Sequence, residues 1–321
     1  MPGRVWTRPP ATRGPPDRHN RRVTEEFRCA AASLRDAEPM AGTAPEDGAW
    51  LFVEEPGPWG RKAVAESRLP EDVRAFLDGL EGVRVQLVRR HGGVSGRGVR
   101  VFAAHLATTP RVWTTVLDDV VDLPALDVAG LRAGTPDLTP YDAPLWLVCT
   151  NGRRDRCCAE TGRPIAAALA ARWPEETWET THLGGHRFAG TLLALPSGVA
   201  LGRLDAGSAV AACKELEAGR IRFDTVRGRA GLPEAAQVAE LHLRATLELD
   251  GLDAVRVRSV DGDTVLLTAG DEDWAVEVGR TRTEPRRQSC ADLKTKPGWE
   301  YHVRSWVQPS RVTPPRTQED A

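Results

Sequence analysis

Residues 144 to 186 read PLWLVCTNGRRDRCCAETGRPIAAALAARWPEETWETTHLGGH. The apolar run from Pro144 to Val148 predicts a buried strand that ends at Cys149. A helix is predicted over Gly162 to Trp173, because apolar residues recur there at helical spacing and a proline follows. The β-branched segment from Thr177 to Leu183 predicts a second strand. Because a strand, a helix and a second strand follow one another within this short segment, the sequence predicts a right-handed parallel βαβ unit.

Four side chains around this unit can bind one metal centre. Cys149 ends the first strand, Cys158 ends the loop after it, and His182 and His186 belong to the sequence HLGGH. Because the carboxyl ends of parallel strands meet at one edge of a sheet, Cys149 and His182 are predicted to emerge together. The two adjacent glycines between the histidines favour a loop over a helix.

The residues alone leave several kinds of site open. A structural zinc site fits the H-x3-H spacing, but C-x8-C exceeds the usual gap between paired zinc cysteines. A thioredoxin-type dithiol needs C-x-x-C, which does not occur in the chain. The cysteines could also be small core residues and the histidines ordinary loop residues, although an ordered quartet is harder to explain in that way. An iron–sulfur cluster is the fourth alternative.

The strings VCTNGRRDRCC and HLGGHRFAGTLLALPSGVALGRL resemble the sucrase/ferredoxin-like family, a branch of the thioredoxin-like ferredoxins. Weaker similarity is found in RCAAASLRDAEPMAGTAP (Arg28 to Pro45), EEPGPWG (Glu54 to Gly60) and VRGRAGLPEAAQVAE (Val226 to Glu240). The resemblance therefore extends over roughly residues 28 to 306, and its most specific part is the cysteine and histidine segment.

The resemblance implies a 2Fe-2S cluster that is bound by two cysteines and two histidines. Carried over by position, the ligands in this sequence are Cys149, Cys158, His182 and His186. The neighbouring Cys157 is expected not to be a ligand, because Cys158 stands three residues after the aspartate of the loop, as the second cysteine of the family does.

Such a ligand set has consequences for redox chemistry. An oxidised 2Fe-2S core carries a formal charge of about +2. Four thiolate ligands bring the net charge of the centre to about −2, whereas two thiolates and two neutral imidazoles bring it to zero. The neutral centre takes up an electron more easily, as in Rieske centres at about −150 to +300 mV against about −400 mV for all-cysteine ferredoxins. Reduction should also raise the pKa of the outer imidazole nitrogen, which predicts proton uptake coupled to electron uptake near neutral pH.

The composition of the whole chain narrows the function classes. With 321 residues and 41% hydrophobic content, the chain can form a core for two compact units. A net charge of −2 gives no overall attraction to nucleic acid, so nucleic acid is not expected as a partner. No apolar run is long enough to span a bilayer, so a membrane is not expected as a partner either. Six cysteines are too few for a disulfide scaffold, which favours a reducing, cytoplasmic location.

The predicted fold class is α/β (α+β overall). A thioredoxin-like ferredoxin domain is predicted over residues 141 to 220, because strand–helix–strand is followed there by a hairpin and a helix. A smaller α/β region is predicted to precede it, and a helix with β-strands to follow it. The predicted boundaries are 1–24 for a disordered tail, 25–140, 141–220, 221–307, and 308–321 for a second disordered tail.

The function predicted for this chain is that of a soluble electron carrier, whose cluster accepts one electron from a reductase and passes it to an unidentified acceptor protein. The alternatives are a structural or redox-sensing cluster protein and a zinc-binding structural site. Sucrose hydrolysis, which the family name invokes, is not expected, because no motif marks the two carboxylates that it needs. No catalytic residue is assigned. Cys213 is predicted to be buried packing, and Cys290 an inert loop cysteine.

Overall fold

The structure is a computed structural model that describes residues 26–93, 96–107 and 109–308. The two predicted disordered tails lie outside this part of the chain, apart from Gln308. The described residues form a mixture of helices and sheets, which confirms the predicted α/β class. No helix among them is long and apolar enough to cross a lipid bilayer.

Six α-helices and sixteen strands are labelled in chain order among the described residues. The helices are α1 (Cys29–Arg35), α2 (Glu71–Asp78), α3 (Val128–Ala133), α4 (Arg156–Ala170), α5 (Ala206–Glu217) and α6 (Glu234–Thr246). The strands are β1 (Ala49–Glu54), β2 (Arg84–Arg89), β3 (Val99–His105), β4 (Arg111–Leu117), β5 (Thr139–Pro140), β6 (Leu145–Cys149), β7 (Thr177–Thr180), β8 (Leu192–Leu195), β9 (Val199–Leu201), β10 (Val226–Arg229), β11 (Val255–Asp261), β12 (Thr264–Ala269), β13 (Glu272–Arg282), β14 (Arg286–Arg287), β15 (Thr295–Lys296) and β16 (Trp299–Val307).

Ten strands form one sheet in the order β10-β9-β8-β6-β7-β2-β1-β3-β4-β5. In the first unit, α2 connects the parallel strands β1 and β2, and the antiparallel strands β3 and β4 follow. In the second unit, α4 connects the parallel strands β6 and β7, and the antiparallel strands β8 and β9 follow. The strand order is therefore symmetric about the junction of β2 with β7, which pair antiparallel. The ten-stranded sheet therefore contains two halves with the same topology, β1 to β5 and β6 to β10, whereas the domain boundaries given by the sequence analysis stay predictions.

The central strand β6 is buried along its whole length, because both faces of the sheet are covered there. Trp146 and Val148 face a core shared with α4 and α5, whereas Leu147 and Cys149 face a core that continues into the first half. Burying a side chain such as Leu147 contributes about 1.5–3 kcal/mol. Cys213 lies in the core beneath α5, as predicted for a packing cysteine.

Helix α4 begins at Arg156, six residues earlier than the Gly162 start predicted from apolar spacing. Its N-cap is Asp155, whose side chain accepts a hydrogen bond of 3.0 Å from the backbone N–H of Cys157. The sequence prediction missed this start because the first turn carries polar residues and cysteines rather than an apolar stripe. Cys157 and Cys158 therefore lie in the first turn of the helix and not in the preceding loop.

The C-terminal region holds α6 and a second sheet in the order β11-β12-β13-β16. A hairpin with Asp261-Gly262 at its turn joins β11 to β12, and β16 pairs antiparallel with β13. Helix α1 contacts the short 3-10 turn His186–Phe188, and Gln288, next to β14, accepts a hydrogen bond from His186. Segments from both ends of the chain thus cover the edge of the sheet where the predicted ligands lie.

Candidate metal centre

The carboxyl ends of β6 and β7 bring the predicted ligands together. Cys149 is the last residue of β6, His182 follows β7 by two residues, and Cys158 comes from the first turn of α4. The two sulfur atoms and one nitrogen of His182 lie within 4.8 Å of one another. The parallel register that pairs Cys149 with Thr180 explains this proximity, because it places both strand ends at one level of the sheet.

His182 lies between the two thiols and the second imidazole. Its Nδ1 atom is 3.9 Å from Sγ of Cys149 and 3.8 Å from Sγ of Cys158. Its Nε2 atom is 3.1 Å from Nδ1 of His186. Cys149, Cys158 and His182 therefore converge, whereas His186 contacts the far nitrogen of the His182 ring and is not part of that group. The thiols are buried and both imidazoles are half-buried.

A backbone carbonyl sets the protonation of His186. Its Nε2 atom is 2.6 Å from the carbonyl oxygen of Gln288, which can only accept, so the proton resides on Nε2. The opposite nitrogen, Nδ1, then carries the lone pair and faces Nε2 of His182 at 3.1 Å. Burial, together with the neighbouring His182, lowers the pKa of His186, and this favours the neutral imidazole that binds metals.

The two thiols of the site share a proton. A hydrogen bond from Cys158 holds the pKa of Cys149 well below its ordinary value, with a further contribution from His182, although burial opposes it. The same hydrogen bond and burial raise the pKa of Cys158 well above its ordinary value. A fully buried thiol pair that loses its first proton easily is suited to receive a cation, because thiolate is the metal-binding form.

The loop between the histidines leaves room for Arg227, a buried cation of β10. Gly184 and Gly185 have φ angles of +88° and +67°, and a Cβ atom on Gly185 would come 2.3 Å from Nη2 of Arg227. The guanidinium donates to the carbonyl of Gly184 at 3.3 Å, to Oγ1 of Thr43 at 3.1 Å and to the carbonyl of Thr43. All of these acceptors are neutral, and thus the charge is not cancelled by them.

Burial, with the neighbouring Arg84, lowers the pKa of Arg227 to about 10, so the side chain stays cationic at neutral pH. Its charge interacts with both thiols, Cys149 and Cys158. The sequence reasoning missed this residue, because Arg227 lies far along the chain in a segment, VRGR, that carries no ligand-type residue. It provides a fixed positive charge beside the thiol pair.

The arginines of the sequence RRDR, Arg153 to Arg156, differ in their surroundings, although the sequence shows them as a single basic run. Arg154 lines a cavity of about 470 Å³ beside His182, together with Arg61 and Lys62. Arg156 instead pairs with Glu26, which offsets its charge. The cavity thus places three basic side chains, together with Asp78, next to the imidazole of His182.

The adjacent cysteines Cys157 and Cys158 belong to different groups. Cys158 faces Cys149 and His182, whereas Sγ of Cys157 lies 3.8 Å from Sγ of Cys29 and 3.3 Å from Sγ of Cys290. A hydrogen bond from Cys29 lowers the pKa of Cys157 to about 6. Cys290, expected to be an inert loop cysteine, therefore packs against two other thiols.

A family model described as sucrase/ferredoxin-like matches residues 40–228, which is more than half of the chain. The match contains Cys149, Cys158, His182 and His186, and it excludes Cys29 and Cys290. No curated protein and no solved structure matches the chain.

Proposed function

Because the chain belongs to the sucrase/ferredoxin-like family, we propose that Cys149, Cys158, His182 and His186 hold a 2Fe-2S cluster and that the protein transfers single electrons. The observation that supports this most directly is the group formed by two buried thiols and His182 where β6 and β7 end, with His186 in contact with His182. The cysteine and histidine side chains here are compatible with a metal or cluster site.

The donor set fits the cofactor in three respects. The thiols are buried and already share a proton, so that one thiolate forms easily. The carbonyl of Gln288 holds His186 as the tautomer whose Nδ1 carries the lone pair. The glycine pair leaves space between the two imidazoles that the cationic side chain of Arg227 occupies.

When bound, a 2Fe-2S cluster supplies a centre that takes up and releases one electron. The residues of the chain set the conditions for that exchange. Arg227 places a buried positive charge beside the thiols, which favours the reduced, more negative state. The half-buried imidazoles lie toward the surface, so redox partner proteins exchange electrons on this side, next to the basic cavity lined by Arg61, Lys62 and Arg154.

Proton coupling is part of the proposal. An imidazole ligand keeps a second nitrogen that can carry a proton, and in His186 this nitrogen is the one that donates to Gln288. The midpoint potential is expected to fall with rising pH across the range in which the oxidised protein titrates. Protein-film voltammetry over that range measures it, and a potential that does not change with pH would contradict the coupling.

The test of the function is the composition and redox behaviour of the full chain purified without oxygen. We expect about two iron and two sulfide per chain, visible absorption, and an electron paramagnetic resonance signal that appears on reduction and disappears on reoxidation. Colourless protein with zinc at Cys149 and Cys158 would refute the cluster. A cluster that binds but does not cycle would refute electron transfer and favour a structural role.

A further inference from the structure

A second group of metal-type ligands lies next to the first and uses none of its residues. The sulfur atoms of Cys29, Cys157 and Cys290 are 3.8, 3.3 and 3.6 Å apart in pairs. The carboxylate atom Oδ1 of Asp155 is 3.5 Å from Sγ of Cys29. All four donor atoms lie within 4.8 Å of one another, and only the Cys290 side is partly exposed.

We propose that Cys29, Cys157, Cys290 and Asp155 bind one zinc ion. This site goes beyond the proposed function and does not depend on it, because the two groups share no ligand. Binding displaces the thiol protons to solvent and involves no change of oxidation state, so no oxidant or reductant is required.

The separations between the donor atoms match a tetrahedral zinc site. With Zn–S bonds of about 2.3 Å, two sulfurs of a tetrahedron stand about 3.8 Å apart, and a sulfur and a carboxylate oxygen about 3.5 Å apart. The Cys29–Cys157 and Cys29–Cys290 sulfur pairs and the Cys29–Asp155 pair are close to these values, whereas the sulfurs of Cys157 and Cys290, at 3.3 Å, would move apart by about 0.5 Å on binding zinc. Three thiolates with one carboxylate form a closed, four-coordinate set, which is the pattern of a structural zinc site rather than a catalytic one.

Hydrogen bonds already hold the ligands in place. Asp155 accepts from the backbone N–H of Cys157 at 3.0 Å through Oδ1 and from that of Cys290 at 2.8 Å through Oδ2. The N–H of Cys29 donates to Sγ of Cys290 at 3.4 Å. Donation to a carboxylate or a sulfur stabilises its anionic, metal-binding form. The carboxylate of Asp155 therefore orders two of the cysteines in addition to offering its own oxygen.

The position of the group indicates what the ion does. Cys29 begins α1, Cys157 lies in the first turn of α4, and Cys290 follows β14 by three residues. Two residues before Cys290, the carbonyl of Gln288 holds His186. A zinc ion bound to Cys29, Cys157 and Cys290 connects both ends of the chain to α4 and fixes the segment that positions one imidazole of the first site.

The test uses the full-length double variant Cys149→Ser/Cys158→Ser, which removes the thiols of the first site. The protein is stripped of metal under reducing, oxygen-free conditions, given zinc chloride alone, and desalted before zinc is counted by mass spectrometry. We expect about one zinc per chain. Adding Cys29→Ser or Cys290→Ser to this background should lower the retained zinc at least about tenfold, whereas adding Cys213→Ser, a matched buried cysteine outside both groups, should not.

Two further measurements keep the test valid if a cysteine variant folds poorly. Asp155→Asn preserves the helix cap and should still weaken zinc binding about tenfold, because the amide carries no charge. Cobalt(II) in place of zinc should give thiolate charge-transfer absorption that disappears with Cys29→Ser. Full zinc retention in the Cys29→Ser and Cys290→Ser variants, or no zinc in the background protein, would overturn the proposal. The iron and sulfide counts of the unmodified protein test the cluster separately.

Discussion

The guanidinium group of Arg227 lies against the backbone of Gly185, so close that a Cβ atom on this glycine would stand 2.3 Å from Nη2. A charged side chain that is only 2% exposed therefore occupies the space that the double glycine leaves open between the two histidines. The acceptors of its hydrogen bonds are uncharged, so its positive field reaches the thiols of Cys149 and Cys158. The glycine pair and Arg227 thus act together, and each can be tested separately.

Replacing Arg227 with Gln should lower the midpoint potential of the cluster. Removal of a buried positive charge disfavours the added electron by on the order of 1 kcal/mol, which corresponds to a few tens of millivolts for a one-electron couple. The matched variant Arg227→Lys keeps the charge, so its midpoint potential should stay near that of the unmodified protein. Redox titration followed by electron paramagnetic resonance measures all three proteins. Equal shifts in both variants would assign the effect to packing rather than to charge.

Replacing Gly185 with Ala should destabilise the protein by about 3 kcal/mol, since the Cβ atom meets the buried guanidinium of Arg227 in addition to the cost of a positive φ angle. The control is Gly262→Ala. Gly262 has a similar φ of +57° but nothing within 4 Å of the added atom, so only the backbone cost of about 1 kcal/mol is expected. Urea unfolding compares the two free energies. Equal losses would show that Arg227 moves aside freely.

The cysteine assignment predicts opposite results for two neighbours in the sequence. Cys158→Ser should remove most of the iron, because the Cys158 sulfur faces Cys149 and His182. Cys157→Ser should retain the iron, because the Cys157 sulfur faces Cys29 and Cys290. Iron and sulfide analysis of both variants, with visible absorption, decides between them. Bleaching by Cys157→Ser and not by Cys158→Ser would move the ligand assignment by one residue.

Substitution of His182 by Cys tests the imidazole ligands in a different way. The variant should retain part of the cluster, because thiolate also binds iron, but the midpoint potential should fall as a negative charge is added. The potential and its dependence on pH are measured together. A retained cluster whose potential equals that of the unmodified protein would mean that His182 is not a ligand.

Local patterns in the sequence were sufficient to predict the βαβ unit and the hairpin after it, whereas the four proposed ligands were assigned through the family resemblance and stay a prediction. Apolar runs and residue spacing are visible within a short window, and the carboxyl ends of parallel strands meet by a general rule. Arg227, Gln288, Cys29 and Cys290 were not predicted in their roles, because tertiary folding brings them in from distant positions. Cys29 and Cys290 are 261 positions apart, and no local pattern could mark them as neighbours.

The repeated topology of the two halves was missed for a related reason. The first half lacks the cysteine and histidine motif: its strand β1 ends at Glu54, where β6 ends at Cys149. Without shared side chains, the repeat is apparent only in the order of the strands about the junction of β2 with β7.

That junction contains an acid-sensitive ion pair. The Glu179 side chain is 6% exposed and receives hydrogen bonds at 2.7 Å from Arg89 and at 2.8 Å from Thr150. Burial opposes ionisation of the carboxyl, but these hydrogen bonds outweigh it and lower the pKa of Glu179 below its ordinary value of 4.5. Because the folded state has the lower pKa, ionised Glu179 stabilises the protein fully above about pH 4.5, and the contribution is lost as the pH falls through the folded value.

We therefore expect the free energy of unfolding to fall more steeply between about pH 5 and pH 3 in the unmodified protein than in the Glu179→Gln variant, because a glutamine side chain does not titrate. Glu175→Gln is the matched control, because the Glu175 side chain also pairs with an arginine, Arg90, but is 80% exposed and should contribute little. Urea unfolding at a series of pH values gives the slopes. If Glu179→Gln retained the full acid dependence, the acid sensitivity would have to arise from carboxyls elsewhere, and the junction of the two halves would not depend on the charge of Glu179.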